Sequence, residues 1–280
     1  MMPDTSRIAQ RFGLPEMKKP ALPWESERWR RPLLLGLAVL NFVLIARLLS
    51  WPDWHGSGDW WLWARLPGEN PYGTFLGPNG IANPYRYSPV AAWLIGPVAL
   101  AVGQVGFAVL HFVALLALPR KLGIIVALSF PFWFDLLWGN VFTLVFVAAW
   151  WAMKGNRWGT VAFLVLTLLM PRPVQIPLAL WLLWREPWVR LPFVAIVLGH
   201  GAVVFLSGLG PEWIARLLES GGNEMAMAYN LGPTRLFGYW WFVVGVPLGV
   251  YLFRRHPHLA GLAVSPYLLG QYWMMAMVRR

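Results

Sequence analysis

The apolar runs of this chain limit most strongly what it can fold into. Residues 32–50, 89–118, 122–138, 139–153, 158–171, 173–184, 191–208, 236–253 and 259–278 carry few charges, and short basic loops separate most of them. A chain in hydrocarbon has no water to satisfy its backbone and must satisfy itself, here as helices. A helical crossing takes about 20 apolar residues, or about 17 when its ends are anchored. Several runs fall short of that and imply tilt, local thinning or partial insertion. Composition agrees. Charged residues make up 12% of the chain, against about 25% in soluble domains. The 20 Trp and 8 Tyr suit the membrane–water interface. The expected fold is an all-α polytopic membrane protein with about nine transmembrane helices.

The run 89–118 is too long for one crossing and is interrupted at Gly103-Gln104. Charge decides how to count it, because Lys and Arg gather on the cytoplasmic side. If only the second half crosses, 15 of the 23 Lys and Arg lie inside and 8 outside. If both halves cross, the later loops flip and the split becomes 12 to 11. The first arrangement is the one expected, with 89–103 left to dip into the membrane or lie on it. It puts the N-terminus in the cytoplasm, with 1–31 as a basic tail and 32–280 as one membrane-embedded domain. The large loops 51–103 and 209–235 then face outside, the first carrying juxtamembrane helices. The tail is polar, and no A-x-A-like site follows the first apolar run, so that run is expected to be a retained span rather than a signal peptide.

The chain has no cysteine, which excludes disulfides and thiolate metal sites. Its net charge of +11 sits mostly in loops between apolar runs, which argues for membrane anchoring and against nucleic acid as a partner. Phosphate-loop, dinucleotide and H-E-x-x-H patterns are absent, and the five His are scattered. No metal and no cofactor is expected. His111 and His200 lie inside apolar runs, where a neutral imidazole bonded to a backbone carbonyl is the plain reading and a functional group the other.

The polar residues converge on the expected outer face. In "GDWWLWARLPGENPYG", Asp59 precedes Trp60, Trp61 and Trp63. It is either the N-cap of a short helix lying in the interface or a carboxylate poised as a general base. Arg86 in "YRYSPV" and Arg172 in "MPRPVQ" stand beside prolines that bend the chain. Each can clamp a phosphate bidentately or merely snorkel. Asp135 in "FWFDLLWGN" needs a partner, and an ion pair with Arg86 or Arg172 is expected. "SGGNEMAMAYN", residues 220–230, reads as a polar loop after a short amphipathic helix, Trp213–Glu219.

In order along the chain, these elements resemble the GT-C membrane glycosyltransferases, and more narrowly glycosyltransferase family 87, the polyprenyl-phosphate-mannose-dependent mannosyltransferases. Asp59 matches the first-loop catalytic acid of that superfamily. Gly68, Pro71 and Tyr72 match a "G-x-P-Y" element. Tyr85, Tyr87 and Pro89 match "Y-x-Y-P-P", with Ser88 for the first Pro. Gly139-Asn140 matches a "G-Q/N" pair, and Gly222-Asn223-Glu224 matches a "G-N-Q-S"-like loop. The family's "K-P-x-P" stands here as Met170-Pro171-Arg172-Pro173, with the basic residue displaced by two. Gln271-Tyr272 occupy the place of an expected His.

The resemblance implies transfer of mannose or another sugar from a polyprenyl-phosphate donor to a glycolipid or glycan acceptor, on the outer face of the cell membrane and without a metal. Asp59 would be the general base, and Arg86 and Arg172 would hold the donor phosphate. Trp60, Trp63, Tyr72, Tyr85, Tyr87, Asn140, Gln175, Asn223 and Glu224 would line the substrate site. Asp135 would be structural. The chain carries no D-x-D nucleotide-sugar motif, and a lipid-borne donor fits that. A lipid carrier or flippase would use the same arginines without a base, and a scaffold subunit of an envelope-glycan complex would need no chemistry.

Overall fold

The structure is a computed structural model that describes residues 27–50, 63–64, 66–72, 85, 87–225 and 230–278. All regular elements among the described residues are helical. The chain divides into two compact units, Met1–Leu44 and Ile45–Arg280. The first holds most of helix α1 (Glu27–Leu49), where a basic opening containing Pro32 gives way to apolar sequence.

The second unit contains α2 (Pro89–Leu115), α3 (Arg120–Ala127), α4 (Phe130–Leu137), α5 (Phe142–Met153), α6 (Arg157–Leu169), α7 (Ile176–Arg185) and α8 (Pro187–Leu206). These are followed by α9 (Gly210–Met225), α10 (Thr234–Phe237), a 3₁₀ turn, α11 (Trp241–Arg255), α12 (Pro257–Val264) and a 3₁₀ segment, Gly270–Met277. Among the described residues three stretches are long and apolar enough to cross a membrane: Pro89–Leu115, Pro187–Leu206 and Thr234–Arg255. The described residues thus form an all-helical structure with three helices that could span a membrane.

A count of nine crossings does not follow from the helix lengths. The expected run 122–138 is two eight-residue helices, α3 and α4. They part at Leu128-Ser129, where the Ser129 hydroxyl donates to the Val126 carbonyl and Pro131 starts the next helix. The run 259–278 is likewise divided, into α12 and the 3₁₀ segment, with Ser265 extended before Pro266. Eight residues of α-helix rise about 12 Å, well short of the ~30 Å hydrocarbon core. Within α2, Gly103 has φ 65° and ψ 180°, so the helix breaks where the Gly-Gln pair was expected to break it. A second difference concerns 220–225, which continue α9 as helix instead of forming a loop. Two glycines weaken a helix by about 1 kcal/mol each, but they do not end one as proline does.

α5 lies at the centre. Phe142, Val145, Phe146 and Ala149 are buried on it, and it packs on α6, on α2 and on the 3₁₀ segment. The α5–α6 turn uses Gly155 at φ 76°, then Asn156, whose side chain accepts from the Gly159 amide at 2.9 Å and caps α6. α11 and α12 form an antiparallel hairpin on small residues. Trp241 Nε1 donates to the Ala263 carbonyl at 2.9 Å, and Gly245 lies against the same carbonyl. Gly261 of α12 closes on the segment before α7, where an added Cβ would come within 1.9 Å of the Val174 carbonyl oxygen.

That contact is with rigid backbone, so Gly261→Ala should destabilise the fold by about 1–3 kcal/mol. Gly199→Ala on α8 meets nothing within 4 Å and should be neutral. Thermal unfolding of the two purified variants in one detergent measures the difference, and an unchanged transition for Gly261→Ala would contradict the packing.

Candidate functional site

Four segments far apart in sequence meet at Arg172. The chain bends at Met170-Pro171-Arg172-Pro173, and the turn closes with the Gln175 amide donating to the Arg172 carbonyl at 2.9 Å. The Arg172 side chain is buried, with 3% exposed. One terminal nitrogen donates to the Tyr272 hydroxyl at 2.9 Å. The other donates to Asn140 Oδ1 at 2.7 Å and to the Tyr87 hydroxyl. The guanidinium carbon also lies 4.9 Å from the centre of the Tyr87 ring, 5.3 Å from Tyr272 and 5.7 Å from Phe142. Ring faces attract a cation most when water is excluded, so the same groups that orient the fork also stabilise its charge.

Asn140 is delivered by a helix ending. Gly139, at φ 64°, takes the left-handed conformation after α4, and the Gly139 and Asn140 amides donate to the Leu136 and Asp135 carbonyls. The chain then turns directly into α5. Asp135 is fully buried and serves that helix start: it accepts from the Phe142 amide at 3.1 Å, the Thr143 amide at 2.7 Å and the Thr143 hydroxyl at 2.6 Å. A carboxylate there satisfies amides that α5 cannot satisfy itself and complements the helix dipole.

His111 of α2 closes the cluster. Its Nδ1 faces the Phe107 carbonyl at 2.9 Å and its Nε2 faces the Asn140 carbonyl, with Asp135 Oδ2 3.6 Å from Nε2. Both ring nitrogens thus face backbone carbonyls, as the plain reading of a histidine in an apolar run expects. Asp135 lies beside the same ring. The expected pairing of Asp135 with Arg172 is corrected accordingly. The carboxylate faces α5 and His111, while Arg172 binds phenols, an amide and ring faces. The partner offered by Arg86 lies outside the described residues.

The segment that precedes α2 packs beside this cluster. Trp63 is fully buried and stacks on Tyr87 at 4.8 Å with an interplanar angle of 7°, while Tyr85 meets it edge-on at 5.7 Å. Tyr72 donates to the Tyr87 carbonyl at 2.9 Å and Tyr85 to the Ser88 carbonyl at 3.0 Å. Burial, aided by Glu212, raises the Tyr72 phenol above its ordinary range, so it stays a donor. Asn70 shapes the Asn-Pro-Tyr turn by accepting from the Tyr72 amide at 2.9 Å. Its side-chain amide also donates to Glu212 of α9 at 3.2 Å. Ser88 caps α2 and lies 2.6 Å from His200 Nε2 of α8. His200 thus bonds a hydroxyl where a backbone carbonyl was the plain expectation.

Of the residues named from the sequence, Tyr87, Asn140 and Arg172 are in direct contact. Trp63, Tyr72 and Tyr85 back them as an aromatic layer. Gln175 is fully buried on the Arg172 turn, and neither its amide nitrogen nor its oxygen has a partner among the described residues. Gln271 Oε1, next to Tyr272, is also without one. Buried amides of this kind call for water or a ligand. Asp59, Trp60 and Arg86 lie outside the described residues. Asn223 and Glu224 are on the backbone of α9, and their side chains are not described. Sequence reasoning missed His111 and Thr143 as parts of the site. A histidine inside an apolar run was the available signal for the first, and a threonine at the start of α5 for the second. Among the described residues no three His, Asp or Glu converge as a metal centre.

The fold and site thus define an all-helical membrane protein with a buried arginine–tyrosine–asparagine cluster. Comparison with protein-family models, with curated proteins and with solved structures finds no match.

Asp135→Asn should separate the structural reading of this carboxylate from any other. An amide offers one acceptor oxygen where three donors converge, so stability should fall by about 1–3 kcal/mol. Thr143→Val, which removes one of the donors, should cost less. Denaturation of both variants in detergent is the measurement, and equal stability of Asp135→Asn and the parent would refute the helix-start role.

Proposed function

We propose that the chain is an integral-membrane glycosyltransferase of the GT-C type, transferring a sugar from a polyprenyl-phosphate donor. The observation that carries this reading is the meeting of Tyr87, Asn140 and Arg172. They come from three short motifs through which the sequence resembles those enzymes, motifs separated by 53 and 32 positions. The Gln175 amide on the same turn, without a partner among the described residues, supplies donors and an acceptor suited to sugar hydroxyls.

In this reading the acceptor hydroxyl attacks the anomeric carbon while the bond from that carbon to the phosphate oxygen breaks. The hydroxyl proton passes to Asp59, and the polyprenyl phosphate departs with the bonding electrons. One displacement inverts the anomeric configuration. Arg172, with Arg86, offsets the charge on the leaving phosphate. The Arg172 fork is already oriented by its neighbours, which lowers the reorganisation needed as charge develops. A donor phosphate reaches it by displacing a hydroxyl or amide partner. The site faces the outside of the cell membrane, with the N-terminus in the cytoplasm, in the orientation that the distribution of Lys and Arg favours. The acceptor is a glycolipid or glycan of the envelope.

The deep burial of Arg172 favours a second reading, a non-catalytic scaffold in which the cluster only holds helices together. Asp59→Asn distinguishes the two, because Asn caps a helix about as well as Asp but takes no proton. Transfer from a lipid-phosphate sugar in purified membranes should fall by about 10²-fold or more, with thermal stability unchanged. Asp59→Ala should lose local stability as well, by about 1 kcal/mol. Full activity in the Asn variant would leave Asp59 a cap and remove the base from the mechanism.

The orientation has its own test, made clean by the absence of native cysteine. A cysteine at Gly155 should be shielded from an impermeant thiol reagent in intact cells, and one at Gly221 should react. The opposite pattern would place the cluster on the cytoplasmic side.

A further inference from the structure

Away from the arginine–tyrosine cluster, a groove of about 490 Å³ runs along the surface between α7, α11 and α12. Leu180 and Trp184 of α7 form one wall, and Val246, Val250 and Phe253 of α11 the other. Gly249 and Ala260 also line it, where a Cβ on Gly249 would meet Val264 at 2.2 Å, so α11 and α12 approach closely beside the groove. The groove takes in Pro177 to Trp184 along α7 and Val246 to Arg254 along α11. At 1.5 Å per residue that is about 10–12 Å, close to the ~15 Å that one leaflet contributes to the hydrocarbon core.

The chemistry changes at one end only. Arg254 lines the groove there and has no hydrogen bond or ion pair among the described residues. The arginines that end α7 and α11 or open α8 are otherwise engaged among the described residues. Arg185 stacks on Trp181 and pairs with Glu186 at 3.7 Å. Arg190 donates to the Leu183 and Trp184 carbonyls, and Arg255 donates to the Tyr251 hydroxyl. A basic residue at a helix end is ordinarily a plain interfacial anchor. An uncommitted guanidinium over an apolar slot one leaflet deep is a more specific arrangement. Basic pockets between transmembrane helices take anionic head groups, and the fork of an arginine matches a phosphate.

We infer that this groove binds one anionic phospholipid, its phosphodiester on Arg254 and an acyl chain between α7 and α11. The test uses the whole protein in phosphatidylcholine vesicles doped with photoactivatable phosphatidylglycerol, or with photoactivatable phosphatidylcholine at the same mole fraction. Crosslinks are mapped to the segments 177–184 and 246–254. Phosphatidylglycerol should label them about fivefold more than phosphatidylcholine, the scale set by one arginine near an anionic surface. Arg254→Gln should bring the ratio near one, while Arg255→Gln should leave it high. Val250→Trp, which fills the slot and keeps Arg254, should also lower labelling by phosphatidylglycerol. A ratio near one in the parent overturns the inference. So does equal loss in Arg254→Gln and Arg255→Gln, which would show diffuse charge, or full labelling of Val250→Trp, which would put the lipid elsewhere. Displacement by soluble glycerol phosphate would reduce the site to a phosphate site, and displacement by an isoprenyl phosphate alone would assign it to a different lipid.

Discussion

Burial of a guanidinium inside a membrane protein sets the terms for everything around it. An isolated charge in a low-dielectric interior costs several kcal/mol, so Arg172 is tolerable only with its donors engaged and its faces covered. Two phenols, one amide and three aromatic rings do this among the described residues. Those groups need backbone held at fixed distances. Asn140 can reach Arg172 because Gly139 ends α4 sharply, and that ending is stable because Asp135 and His111 hold the strand of chain entering α5. Tyr87 keeps its place because Trp63 stacks on it. The arginine, the turn and the start of α5 therefore form one cooperative unit, in which removing any member leaves a buried polar group without a partner.

The short helices follow from the same constraint. Irregular backbone is tolerated at membrane depth only where protein covers it. α4 keeps Phe130, Phe132, Phe134 and Leu136 buried, and the 3₁₀ segment beside it keeps Gly270, Tyr272, Met274 and Met275 buried. Gly270 lies directly on the Phe134 ring, where a Cβ would approach to 2.6 Å. These pieces shield each other's ends, which lets the chain place polar side chains at chosen depths instead of running straight through. A bundle of full-length helices has no such free turns, and the site exists because the helices are broken.

Apolar runs told the class of the protein, since their length and low charge permit little besides membrane helices. They told helix lengths poorly. Hydropathy integrates over about 20 residues and cannot see that Leu128-Ser129 or Pro266 interrupts a run with helices on one side or both. The Gly103 break was legible because Gly-Gln is both flexible and polar. The Arg172 turn was legible because two prolines frame a charge, and Asn140 because it follows a glycine at a helix end. The partner of Asp135 was not. Sequence offers a nearby arginine as the obvious counter-ion, whereas the structure uses helix-start amides and a histidine from another helix, a choice fixed only by three-dimensional packing. Tyr272 stood out in sequence only as the occupant of a histidine's place, and its contact with Arg172 spans 100 positions.

α7 connects the two chemically distinct ends of this unit. It begins just after Gln175, on the turn that carries Arg172, and ends at Arg185, next to Trp184, which lines the groove. Ten residues of helix rise about 15 Å, half of a hydrocarbon core. At one end of that short rod the polar groups are buried, mutually bonded and arranged around one cation. At the other stands the exposed Arg185, and Arg254 of α11, which lines the same groove, is uncommitted among the described residues. The first pattern costs desolvation and is retained only where orientation matters. The second costs little and suits contact with a mobile charged surface. A lipid seated in the groove would lie against α7 and α11 together and resist their separation.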